Sequence, residues 1–286
     1  MANTRELRRR IKSVKNTAQI TKAMQMVAAA KMRKAQNQAT SGRPYLETLS
    51  DAIAHLYGKI DIKTHTLLSG NDSKTEAIMV LSTDKGLVGA LNTNIIRQLA
   101  SHIGSGNVVV YYTVGRKGRS FVARTGGDLK ADFENLDTIT FRQAKQLSKL
   151  IMDAFKTGEI GEAFMVYPHF LSTLRQEARR VKLLPIDVGS LVSSSNNELT
   201  GPEFLFEPDV DVLLDFLLVH HIEEQIYQAL LETKASEHSS RMMAMQNATD
   251  NALELVDDLK LTYNQTRQSA ITNELLEITT AQAAMN

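Results

Sequence analysis

No cysteine occurs anywhere in the 286 residues. Disulfides, thiolate catalysis, Cys-ligated zinc and thiol switches are thereby excluded. No apolar run approaches the ~20 residues of a membrane-spanning helix; even Val212–Val219 is broken by Asp215. No apolar segment follows the basic N-terminus, so no secretory signal is read there. That stretch is amphipathic and poor in acids, like an organelle transit peptide, yet it has no small-residue cleavage site and its periodicity runs on unbroken. The reading is a soluble protein of a reducing compartment with no membrane span.

Helix breakers are missing from both ends. No Gly or Pro precedes Gly42, and none follows Pro208. Nothing local interrupts a helix over residues 1–41 or 209–286. As one helix the second run would be roughly 115 Å long, at about 1.5 Å per residue.

Both runs carry apolar residues at steps averaging near 3.5, the spacing of a coiled-coil seam. The first has Ile11, Val14, Ala18, Met24, Val27 and Met32. The second has Leu213, Leu217, Ile222, Ile226, Leu230, Met242, Met245, Thr249, Ala252, Val256, Leu259 and Tyr263. Ala and Thr stand where Leu would be usual, and Ala28, Ala29 and Ala30 would let backbones approach closely. The charges complement each other. Ten Lys and Arg face a lone Glu6 in residues 1–34, whereas Asp257, Asp258, Glu274 and Glu277 outnumber Lys260 and Arg267 near the C-terminus. The two helices are expected to pair with each other.

The middle has another texture. Residues 77–82, 107–113, 163–167 and 181–186 are short, apolar and rich in β-branched or aromatic side chains, as buried strands are. Helical patterns lie at 92–102 and 141–156. This alternation predicts an α/β domain with a largely parallel sheet over residues 75–190. Residues 190–208, rich in Ser, Asn, Gly and Pro, read as a loop into the last helix. The domains are thus a helix over 1–60, the α/β domain over 75–190 and a helix over 209–286.

Catalytic signatures are also missing. Gly86-Leu-Val-Gly89 follows the first strand but lacks the G-x-G-x-x-G spacing, and no Walker-type loop occurs. Gly115-Arg-Lys-Gly118-Arg119 could hold an anion at a helix N-terminus, but reads better as a tight turn with solvated charges. The seven histidines are scattered without metal-ligand spacing, and the adjacent His220 and His221 do not share a helical face. Asp84-Lys85 reads as a turn with a cap. Neither an enzyme nor a cofactor or metal site follows from these residues. An α/β nucleotide-binding enzyme with helical extensions stays as the alternative. Nucleic-acid binding by the basic helix is disfavoured, because no aromatic residue lies among its cations to stack on bases.

Several motifs resemble one family. Residues 9–33, Arg-Arg-Ile-Lys-Ser-Val-Lys-Asn-Thr-Ala-Gln-Ile-Thr-Lys-Ala-Met-Gln-Met-Val-Ala-Ala-Ala-Lys-Met-Arg, are similar to the opening signature of F-type ATP synthase gamma subunits of the bacterial type. Residues 83–92, Thr-Asp-Lys-Gly-Leu-Val-Gly-Ala-Leu-Asn, resemble that family's strand-to-helix turn. Residues 235–251 and 263–278 resemble its C-terminal helix. Two departures stand out: Val88 replaces the family's usual Cys, and Ile278–Asn286 lacks the usual Gly-Ala ending. No cysteine-bearing regulatory insert is present, so redox gating is not expected.

The resemblance implies an antiparallel coiled coil of the terminal helices with a central Rossmann-like α/β domain. It implies a non-catalytic rotary shaft turning inside a hexamer of alpha and beta subunits, with an epsilon subunit and a membrane c ring as further partners. Such a shaft couples proton or sodium flow to chemistry at the beta subunits, from the cytoplasmic face of the bacterial plasma membrane. Met24 and Arg241 match positions at a lower beta contact, and Gln268, Thr272 and Glu274 match an upper one. Glu207, beside Pro208, is assigned to the c ring. The uncharged residues from Ile278 onward suit a rotating tip, because a fixed salt bridge there would hold one angle.

Overall fold

The computed structural model describes residues 4–57, 65–101, 108–187, 189 and 210–284. Two helices dominate, α1 over Thr4–Tyr57 and, last in the chain, α6 over Val210–Ala284. Between them come α2 (Thr66–Ser69), β1 (Thr75–Leu81), α3 (Leu91–Ala100), β2 (Val108–Val114) and α4 (Arg116–Arg124). Then follow β3 (Asp128–Phe133), α5 (Phe141–Lys156), β4 (Glu162–Phe170) and β5 (Gln176–Leu184). The chain divides into two compact units, one of residues 1–29 with 241–286, the other of residues 30–240.

In the larger unit the sheet order is β3-β2-β1-β4-β5. The first four strands in that order pair in parallel, and β5 returns antiparallel to β4. Alternation along β1 decides which face each residue serves. Ala77, Met79 and Leu81 enter the core shared with α5, α1 and α6, whereas Ile78 and Val80 pack with Ile95, Leu99 and Val122 of α3 and α4. Covered on both faces, β1 reads as a continuous apolar run, as central parallel strands do. The polar β3 (Asp-Leu-Lys-Ala-Asp-Phe) lies at one edge and alternates in exposure, which is why no apolar run marks it. The segment after Gly115 is the helix α4 rather than a tight turn.

Within this unit α1 continues through Gly42 and Pro44, residues that ordinarily weaken a helix interior. Proline has no N–H for the carbonyl four residues back and costs about 3 kcal/mol inside a helix. Tertiary packing offsets this. Leu49, Ile53 and Leu56 beyond it are buried, and Gln228 donates from Nε2 to the Ala39 carbonyl at 2.7 Å. On α6 the buried set is Leu214, Leu218, Ile222, Ile226 and Leu230, all at or below 1 % exposure. At about 2 kcal/mol each, they fasten this part of the helix to the α/β core. The register differs from the expected stripe by one residue at its start, since Leu213 and Leu217 are only half-buried.

In the smaller unit the buried or half-buried positions of α1 include 7, 11, 14, 18, 21, 25 and 28, a 4-3-4-3 repeat. Met245, Thr249, Ala252, Val256 and Leu259 of α6 are buried at the same spacing, so the two helices form a heptad seam. Thr21 and Thr249 share a hydrogen bond at 2.7 Å across it. In the larger unit the same two helices run antiparallel, Ala39 meeting Gln228 and Tyr45 meeting His220. Val27, placed on the stripe by spacing alone, is 59 % exposed, and Ala28 takes the buried position at 2 %.

Candidate functional site

Strand order reverses between β1 and β4, and in doubly wound folds ligands bind outside the carboxyl ends of strands at that point. Here α6 occupies the place. Ser236 donates to the Pro168 carbonyl at 2.9 Å, and Lys234 Nζ donates to the Asn135 carbonyl at 3.1 Å. Asn135 Nδ2 in turn donates to the Ser82 carbonyl, at the end of β1, at 2.7 Å. The Glu232 carboxylate accepts from His169 Nδ1 at 2.5 Å and from Arg43 at 2.9 Å, and Arg43 also donates to the Phe170 carbonyl. Ser239 donates to the Thr173 carbonyl at 2.5 Å, and Ser240 to Gln176 Oε1 at 2.9 Å. The crevice that would receive a nucleotide is filled by the protein's own helix.

Burial on α6 is complete here. The twelve consecutive residues from Gln228 to Ser239 are all buried, including Glu232, Lys234, Glu237 and His238. Residues 235–251 stood out as a motif, but charge and hydroxyls ordinarily mark a surface. Only the surrounding strand ends and loops reveal this stretch as interior. The phenol of Tyr167, near the same carboxylate, has its pKa pushed up to about 12, by burial first and then by the charge of Glu232.

The glycine turns hold themselves. In residues 83–92 the Asn92 amide donates to Thr83 Oγ1 at 2.8 Å and accepts from the Thr83 N–H, while Thr83 Oγ1 donates to the Lys85 carbonyl. Val88 is buried at 3 % exposure. At the start of α4 the first amides are used internally. Gly115 donates to the Phe133 carbonyl, Arg116 to the Asp84 carboxylate, Lys117 to the Thr83 carbonyl and Gly118 to Ser82 Oγ. An anion would find these donors engaged, and Asp84 is the cap expected of it. Gly115, at φ 97°, lies so close to Ser82 that a β-carbon would stand 2.3 Å from its carbonyl oxygen.

The two adjacent histidines differ sharply. His220 is ringed by Tyr45, Phe141 and Phe216, and it shares a 2.9 Å hydrogen bond with the Tyr45 hydroxyl. His221 is 1 % exposed, and neither ring nitrogen has a hydrogen-bond partner among the described residues. Burial, then the neighbouring His220, holds its pKa down at about 4. Among the described residues no group of three or more His, Asp or Glu could hold a metal ion. No helix among them is long and apolar enough to cross a membrane.

The other positions singled out from sequence fall in the smaller unit. Met24 and Arg241 are half-buried on the paired helices, and Gln268, Thr272 and Glu274 are exposed on α6. Gln268 and Thr272 lie one turn apart on one side, whereas Glu274 points some 200° away from Thr272, at about 100° per residue. Glu207 and the loop over 190–208 lie outside the described residues. From Arg267 to Ala283 every residue of α6 is exposed, with Ile271, Leu275, Leu276 and Ile278 at 49–61 %.

Comparison with known proteins agrees along the whole chain. A family model described as ATP synthase matches residues 3–285. The ATP synthase gamma chain of Methylacidiphilum infernorum is 44 % identical over 294 residues, covering 100 % of both chains. That of Opitutus terrae is 42 % identical over 294 residues, covering 99 % of each. Among solved structures, a chain from the central stalk and c ring of the Tetrahymena thermophila mitochondrial ATP synthase superposes with a TM-score of 0.62. It has 25 % identity and covers 80 % of this chain and 99 % of that one. A chain from the Euglena gracilis mitochondrial ATP synthase gives a TM-score of 0.70 at 21 % identity, over 99 % and 94 %, which speaks for the fold.

Proposed function

The chain belongs to the ATP synthase gamma-chain family, and from that premise we propose how it couples ion flow through a membrane c ring to ATP synthesis or hydrolysis at beta subunits. It is a non-catalytic subunit, the rotary central stalk of an F-type ATP synthase. A shaft drives chemistry elsewhere only by making different contacts with different states of its neighbours. Gln268, Thr272 and Glu274 make one set of beta contacts, and Met24 with Arg241 makes another. Glu207 touches the c ring, an epsilon subunit completes the stalk, and the assembly is peripheral to the cytoplasmic face of a bacterial plasma membrane.

The observation that carries this reading is the bare end of α6. Isolated helices are marginal in water, and apolar side chains on one ask for a partner. Ile271, Leu275, Leu276 and Ile278 stay exposed among the described residues. An apolar collar formed by alpha and beta subunits supplies the partner, and the absence of side-chain charge from Ile278 onward lets the tip turn within that collar.

Co-expression with the cognate alpha, beta and epsilon subunits and the c ring tests the proposal. One ATP-hydrolysing complex containing this chain is expected. Replacing the residues after Gln268 by a polar linker should abolish its coupled activity. A chain that stays monomeric beside a well-formed alpha–beta hexamer would overturn the reading.

A further inference from the structure

We infer that the buried segment Gln228–Ser239 is a rotational lock, gripped by a polar sleeve that stops α6 from turning about its own axis within the α/β unit. The inference rests on the central-stalk reading and names the residues through which torque passes between that unit and the helix.

A surface helix buries one stripe of roughly 100°. Here burial is complete over more than three turns. The polar contacts also leave the helix on opposite sides. At about 100° per residue, Glu232, Ser236 and Ser239 lie on one side of the helix, and Lys234 and Glu237 on the opposite side. They meet Arg43 of α1, His169 and the Pro168 carbonyl of β4, the Asn135 loop and the Thr173 carbonyl of the β4–β5 turn.

Chemistry distinguishes a lock from mere packing. Apolar contact is non-directional, so where a helix is enclosed on all sides it does not by itself single out one rotation. A hydrogen bond weakens steeply with angle and distance, so each polar contact fixes one rotation. For stability alone, apolar residues of similar volume would serve as well as buried ions or better. Below the lock, at Leu214, Leu218, Ile222 and Ile226, α6 does use apolar residues. The change to Glu, Lys and Ser coincides with the change from one-sided to complete burial.

The test uses the assembled complex in proton-tight vesicles, reading protons pumped per ATP hydrolysed. The wild-type complex first establishes the stalk reading: if it lacks this chain or does not pump, that reading fails and the lock with it. The variant Glu232→Gln with Ser236→Ala and Ser239→Ala is then compared with Leu218→Ala, additional core truncations being combined until the thermal stabilities match. Continued ATP hydrolysis with a fall of about threefold or more in protons per ATP is expected for the polar variant alone. Equal ratios in the two complexes would overturn the lock while leaving the stalk reading intact. A polar variant that loses hydrolysis and pumping in proportion would also overturn it, because a slipping helix uncouples the two.

Discussion

Gln228 Oε1 stands 2.7 Å from the position a β-carbon on Gly42 would take, and Gln228 is pinned there by its own bond to the Ala39 carbonyl. Gly42→Ala therefore sets a helix-propensity gain of about 1 kcal/mol against a displaced buried amide. A net loss of about 1–2 kcal/mol is expected, because the donor removed from Ala39 is buried. Denaturant melts of Gly42→Ala, Gln228→Ala and the double variant check this: the double variant should be more stable than the sum of the single losses implies.

The buried carboxylate of Glu232 is paired with Arg43 at 2.9 Å and with His169 at 2.5 Å. Arg43→Met removes the permanent cation and should cost about 3 kcal/mol, since an uncompensated buried charge remains. Adding Glu232→Leu should recover a large part of that loss. Chemical unfolding of both variants at constant pH is the measurement, and a double variant no more stable than Arg43→Met would contradict the argument.

His221 gives the fold an acid limit. Its pKa falls from 6.5 to about 4 on folding, so between those values the unfolded chain binds the extra proton. Its contribution is present above pH 6.5 and is lost as pH falls toward 4, amounting to about 3 kcal/mol. His221→Leu should flatten this part of the stability–pH curve. An unchanged slope between pH 6.5 and 4 in that variant would assign the acid loss to other groups.

Deleting residues 268–286 should leave the melting of the isolated chain almost unchanged, within about 0.5 kcal/mol, because exposed side chains contribute little. Co-purification with alpha and beta subunits should weaken markedly. Differential scanning calorimetry and a pull-down separate the two effects.

Met24→Lys introduces a charge beside the heptad seam at a half-buried position. A lysine stem can lie along the seam with its ammonium in water, so the cost in stability should stay near 1 kcal/mol. Proton pumping per ATP should fall by more than this loss of stability accounts for. A complex that pumps with unchanged efficiency would remove Met24 from the beta contact.

The long helices and the strands β1, β2 and β4 were legible because their periods are strong and their ends are marked. The edge strand β3 was not, since an edge needs no apolar run. Helix α4 opens on a glycine with φ 97° and no side-chain cap, so it carries no ordinary start signal. Gly42 and Pro44 do not end α1, because local preferences of a few kcal/mol yield to the packing of Leu49, Ile53 and Leu56. Only the end of the switch-point segment, from Ala235, lay within a motif recognised by resemblance, and its burial depends on atoms contributed by Arg43, Asn135, His169 and Thr173.

Spacing and composition alone determined two long helices, their tendency to pair, an α/β domain between them and the absence of thiol chemistry. These are properties of residues near one another in the chain, where a period of 3.5 or 2 is enough to choose a structure. Only the tertiary structure decided that Ala28 and not Val27 faces the seam, and that the amides after Gly115 are already bonded. It also decided that Glu232, Lys234 and Ser236 are interior. Each of these depends on which distant groups arrive at one place, and burial turns a polar side chain from a surface residue into a fastening.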